Sequence, residues 1–370
     1  MKRSIIVFLL LVLAILLCAF ALPGHKILYP IKNDGYYGYM NANKKLIVEA
    51  KYLVAAPSSE GLAFAMIEKG LFDCLNSRGE VVFSIEADST RDYKEGLAAF
   101  KKDAKWGFVD KKGNIVIEPQ YRYAASFSEG FVKVNGFDED VEDVNASSFY
   151  INKNNEMVFD EKFYACMTFS EGYGVVGKWV GGMIHSKYGI IDHNGNIVVP
   201  IENRRVMGEV SDGLYGVGVF PESMPPDGTI EEWMGWSFVD IVTGEVKFEW
   251  PNSGVGYPHN GYLSAGFGVE DYSSASFGYE GNGIINTKGE TVVAPQFHSI
   301  SEIPSEGLYK VNKRGKSGYM TPLGEIVIPL QFNQTSLFHG KLARIKKDGQ
   351  WGYVDLNGEI IYDKDVFSSE

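Results

Sequence analysis

Lys105-Trp106-Gly107-Phe108-Val109-Asp110-Lys111-Lys112-Gly113-Asn114-Ile115-Val116-Ile117-Glu118-Pro119 runs as strand, turn, strand. Strand A is Trp106 to Asp110 and strand B is Asn114 to Glu118. Between them Asp110 occupies the first turn position and Gly113 the one where positive φ is wanted, the chemistry of a type I turn closed by a G1 bulge. Trp106, Phe108 and Asp110 share one parity, and Gly107 and Val109 the other. Trp106 then reads as a core anchor, and Gly107 as bare backbone that admits a neighbouring strand or ring. Strand B is apolar on both parities, which predicts cover on both faces. Pro119 marks its end. Beyond it, Tyr121, Tyr123 and Phe127 cross towards the next unit, and Ser128-Glu129-Gly130 turns the chain into strand C, Phe131 to Val134.

The same order recurs. Near copies begin at Lys187, Asn282, Ser317 and Gln350, and weaker ones at Tyr37, Phe72, Phe149 and Trp236, giving nine units phased on positions 38, 73, 107, 149, 189, 237, 283, 318 and 352. An intact Trp-Gly survives at Trp106 and Trp351, while Asp73, Phe149 and Ser237 replace the glycine. The combination of Trp/Tyr-Gly-Tyr/Phe-Val/Ile-Asp, a turn ending in Gly, Ile-Val-Ile-x-Pro and Phe-Ser-Glu-Gly resembles the WG (KWG) repeat family of bacterial secreted and surface proteins. That resemblance implies a β-rich scaffold and supplies no catalytic residues.

In the last unit strand C, Lys341 to Ile345, turns directly into strand A, so the unit reads C-A-B in three strands. An all-β tandem array of nine such units spans residues 26–364, with a short tail at 365–370. Units near 34 residues are short for a four-stranded propeller blade, and neither end carries a strand that would complete the other's blade. An open curved or superhelical stack is therefore the expectation, and a propeller-like closure the alternative.

Spacing within the array is uneven in one place. From strand A to the Glu-Gly glycine the interval is always 22 to 24 residues, whereas from that glycine to the next strand A it is 11 or 12 in the outer units and 19, 17, 24 and 22 in the middle ones. The extra length therefore enters at the C–A connection. Loops on a rigid scaffold are where binding concentrates, so the candidate partner-binding edge is Trp179, Phe220, Trp233, Tyr272, Phe277 and Tyr279. The acidic loop 138–143 offers carboxylates for Ca²⁺, but a solvated loop is the simpler reading because EF-hand spacing is missing. No cofactor is expected.

Met1-Lys2-Arg3 followed by an apolar run to Phe20 reads as a signal peptide, 1–21, cut after Ala21, with an uncleaved anchor as the second reading. Either one places the rest outside the cytoplasm, secreted or periplasmic, with membrane contact only through an uncleaved leader. A net charge of -12 argues against nucleic acid, and the lysines are scattered through turns and strand edges. Cys74 and Cys166 fall in different units as free buried thiols.

Asp110, Asp192, Asp240 and Asp355, and Glu60, Glu95, Glu129, Glu171 and Glu306, repeat at fixed phases. A residue copied at the same phase in many units is first a structural device, whereas catalysis needs one converging constellation. The six histidines share no partner or ligand spacing. The reading is a non-catalytic binding or scaffolding module of the bacterial cell envelope, not an enzyme, contacting a protein, peptide or glycan. The alternative is an envelope glycan hydrolase with paired carboxylates.

Overall fold

The computed structural model describes residues 27–136, 148–180, 186–219, 235–252, 254–268 and 281–368. They form nine small antiparallel sheets in a ring, a nine-bladed β-propeller. Blade 3 shows the plan: a short strand D (Ser89–Thr90), then C (Leu97–Lys102), A (Lys105–Asp110) and B (Ile115–Tyr121), paired in the order B-A-C-D. Strand D comes from the crossing segment that the sequence left outside the sheets. It is two residues long here, which is how a unit near 34 residues builds a four-stranded blade. Blades 2, 5, 8 and 9 also have four strands; in blades 6 and 7 the same segment makes the single bridges Val206↔Val217 and Val255↔Ala265.

Inside a blade the A–B turn is as read. Gly113 N–H donates to Asp110 O, Gly113 has φ 89°, and Asp110 Oδ1 accepts from Lys112 N and Asn114 N at 2.8 and 2.9 Å. At Asp192 the Asn196 amide and the backbone N–H groups of Asn194 and Asn196 hold the carboxyl below its ordinary range.

Gly107 has a sharper role. A Cβ there would lie 2.5 Å from Ile117 O, because strand B bulges across it: Trp106 pairs with Tyr121 and Phe108 with Ile117, so two residues of A face four of B. Gly38, Gly189, Gly283 and Gly318 meet strand B in the same way. Where Asp73 and Ser237 stand instead, the pairing runs regularly across that position and only the shift one or two residues on remains; Gly352 also pairs without the bulge, against the short last strand. Pro119, Pro200, Pro295 and Pro329 lie within the strands, on the bulge rather than at the end of B; a bulge is where a missing N–H does least harm.

Burial corrects two further expectations. In each strand A two consecutive residues are fully covered, one facing each neighbouring blade: Phe108 packs with Val132 and Val134 of blade 4, and Val109 with Phe64 and Phe72 of blade 2. These pairs, and not the tryptophans, are the core anchors. Trp106 is half-buried and Trp351 is 41 % exposed, because the position before the glycine sits at the hairpin end of the strand. Strand B is the sheet edge, so Ile115 and Val116 are 47 % and 44 % exposed, and only Ile117 is covered.

Successive blades are clasped by the Ser-Glu-Gly turn. Glu60-Gly61 form a two-residue hairpin loop with φ 51° and 86°, a conformation that favours Asn-Gly over Glu-Gly. Glutamate is kept there for its reach: Glu60 accepts Glu95 N at 2.6 Å and Gly96 N at 3.0 Å from the next blade. Glu95 does so with Gly130 N, Glu129 with Gly172 N, Glu171 with Asp212 N and Gly213 N, and Asp212 with Asn260 N and Gly261 N. The serine adds a bond to a carbonyl of the next blade, Ser59 Oγ to Tyr93 O (2.7 Å) and Ser128 Oγ to Phe169 O (2.8 Å).

Lys111 Nζ lies 2.9 Å from Glu60 Oε2. Burial pushes the Glu60 carboxyl up, but Lys111 and the N–H groups of Gly96 and Glu95 outweigh it and hold it below the ordinary range. A lowered folded value means stability that is complete above the unfolded carboxyl's value, about 4.3, and lost as pH falls through the folded one. Glu60→Gln is expected to cost about 1–2 kcal/mol at pH 7, with a gap from wild type that closes in urea denaturation at pH 3. An equal gap at both pH values contradicts the clasp.

Of the two arrangements expected, the closed ring is observed. Each of the nine apolar clusters fills one interface between blades, including that between blades 9 and 1, where Tyr29, Ile31 and Met40 pack with Leu342, Tyr353 and Val366. Among the described residues no strand is exchanged at this seam, so closure needs no completing strand. Side chains close it. Tyr353 Oη donates to Pro30 O (2.7 Å), Tyr29 Oη to His339 O (2.8 Å), and Lys44 Nζ to Glu359 (2.9 Å) and Asp355 (3.3 Å). Asp363 opens a five-residue helix, Asp363–Phe367; it receives both guanidinium arms of Arg344 at 2.5 Å and Lys32 N at 3.0 Å. The helix, part of which falls in the supposed tail, is thus packed into the seam.

Candidate functional site

Because strands D, C, A and B alternate in direction, the Glu-Gly turns and A–B turns emerge at one end of every blade, and the C–A hairpins and B–D crossings at the other. The two faces differ in what their side chains do. On the turn face eight of the nine recurring carboxylates are occupied: Asp110, Asp192, Asp240 and Asp355 cap their turns, and Glu60, Glu95, Glu129 and Glu171 clasp the next blade; among the described residues Glu306 makes no such clasp. His193 joins the set, its Nε2 2.9 Å from Glu129 Oε2. Sequence reading left this histidine without a partner, because the partner belongs to the preceding blade. Glu209, in the crossing loop of blade 6, is pushed up by burial and by Glu302 and Glu171.

The hairpin face carries the exposed aromatic and cationic groups. Arg91 lies 4.6 Å over the Trp106 ring and 5.3 Å over Tyr123; Arg344 and Lys346 flank Trp351 at 5.3 and 5.4 Å. A cleft of about 520 Å³ opens on this face, between blades 7 and 8. Gly281, Phe297 and His298 form one wall, and Lys313, Arg314 and Gly315 the other.

Of the residues read as a binding edge, Trp179 ends strand C of blade 5 on this face and packs on Tyr164, ring centroids 5.5 Å apart. Phe220, Trp233, Tyr272, Phe277 and Tyr279 lie outside the described residues, as does the acidic loop 138–143 considered for Ca²⁺. Among the described residues no group of three or more metal-ligating side chains converges. Cys74 and Cys166 are free and buried, and burial pushes the Cys74 thiol up to about 12, an inert state.

These features define a propeller assembled from tandem clasped repeats. The family model for the WG containing repeat matches residues 37–70, 74–106, 106–135, 149–178, 188–217, 283–316 and 318–351. The chain belongs to that family. No curated protein matches the sequence. Among solved structures it is similar to a eukaryotic initiation factor (9 % identity, TM-score 0.59, covering 91 % of this chain and 96 % of that one), a likeness of fold. Weaker likenesses are to BamB from Moraxella catarrhalis (11 % identity, TM-score 0.44, 84 % and 95 % covered) and apo AztD from Citrobacter koseri (10 %, 0.42, 91 % and 93 %).

Proposed function

We propose that this chain is a non-catalytic binding module of the bacterial cell envelope, exported by its N-terminal leader, which presents the hairpin face to a protein, peptide or glycan. One observation supports the reading: eight of the repeated carboxylates are spent on turns and clasps at one face, while the exposed tryptophan, the cation–aromatic groups and the strand ends that flank every C–A insertion lie at the other. A rigid ring whose longer connections all leave from one end suits recognition, and the carboxylates used in turns and clasps are not available as paired acids. In an envelope extract, shortening the Val219–Trp233 connection is expected to lower partner capture several-fold while the thermal melt stays that of wild type. A melt and a capture both unchanged remove this connection from the binding surface.

A further inference from the structure

Some of the lysines that look scattered along the chain come together on the hairpin face, in blades 8 and 9. We propose that the hairpins of blades 8 and 9, with the adjoining cleft, bind an acidic peptide segment of a partner protein; this rests on the hairpin face being the binding face.

The last residue of strand C points to the reason. In blades 3 and 5 that region holds Lys102 and Lys178, neutralised by Glu86 (2.9 Å) and Glu161 from the preceding crossing region. In blades 8 and 9 the equivalent lysines find amides instead: Lys313 Nζ donates to Gln296 Oε1 at 3.1 Å and Lys347 Nζ to Gln331 Oε1 at 2.7 Å. An amide holds the ammonium in place and leaves its charge. Arg314, Lys316 and Lys346 follow in the same two hairpins, against one acid, Asp348. Among the described residues none of these five cations lies within ion-pair distance of a carboxylate, although the protein carries a net charge of -12.

The cleft gives this charge a shape. Gly281 and Gly315 bring side-chain-free backbone to its wall, and Asn312 and Gln296 add amides; Phe297 beneath them is buried in the core between blades 7 and 8. Cations, amides and open backbone together match an extended peptide with carboxylate side chains, whereas a bare polyanion would use the cations alone.

The test is fluorescence anisotropy of the described protein with a labelled peptide of eight glutamates around one tyrosine. Saturable binding that weakens with salt is expected. Lys313→Gln/Arg314→Gln/Lys316→Gln should weaken it at least about tenfold, and Lys94→Gln/Lys112→Gln/Lys288→Gln, on the turn face, should leave it unchanged. Absence of saturable binding, equal loss in both triple variants, or full competition by inorganic polyphosphate of equal charge each overturns the proposal. The capture experiment on the Val219–Trp233 connection reads blade 6, so either result can fail while the other stands.

Discussion

Phe108→Ala is expected to lower stability by about 3–5 kcal/mol, the cost of emptying a fully buried aromatic site. Phe108 has no exposed surface and sits edge-on to Phe127 of blade 4, ring centroids 5.0 Å apart. Removing it leaves a void in an interface whose two sides are held by clasps and cannot collapse freely. Trp351→Ala, at the residue after which such repeats are called, is expected to cost only about 1 kcal/mol. Its ring is 41 % exposed and held by Arg344 and Lys346 at the surface. Equilibrium denaturation of both variants checks the order, and a larger loss for Trp351→Ala would return the core to the tryptophans.

The second large effect is expected at the seam. Asp363 is 5 % exposed and receives Arg344 through both arms. Burial works against the Arg344 charge, and Asp363 more than restores it. Asp363→Ala therefore strands a largely covered guanidinium and frees Lys32 N, for about 3 kcal/mol. Hydrogen exchange should quicken in strand C of blade 1, Leu28–Asn33, before it does in blade 5, since the seam is the interface with no chain running through it. Uniform acceleration around the ring would argue against a local opening. Adding Arg344→Met should recover part of the loss, because an unpaired buried charge is then absent.

How much of this is legible in the sequence depends on distance along the chain. The A–B turn, its Asp cap and the crowding at Gly107 follow from neighbouring residues, and all three hold. The correlation between glycine and bulge was half visible: Asp73 and Ser237 stand out in the alignment of units, but what they remove is a feature of strand B. Strand D, two residues long in blades 2, 3, 4, 5 and 8, is too short there for any period to reveal. Closure was the least accessible, because Tyr29, Lys32 and Lys44 meet partners more than 300 residues away. The basic hairpins share this cause. Lys313 and Lys347 become neighbours only once two hairpins are superposed by the blades beneath them, so linear reading sees dispersion where the fold makes a patch.

The clasps described above all point the same way: a carboxylate in one blade accepts N–H groups from the blade that follows. From blade 2 to blade 7 a chain leaving the ribosome therefore presents each acceptor before its donors exist, and each new blade docks onto a finished surface. Growth is vectorial, with short loops to close at each step. The junction between the oldest blade and the youngest has no such order, and it forms last.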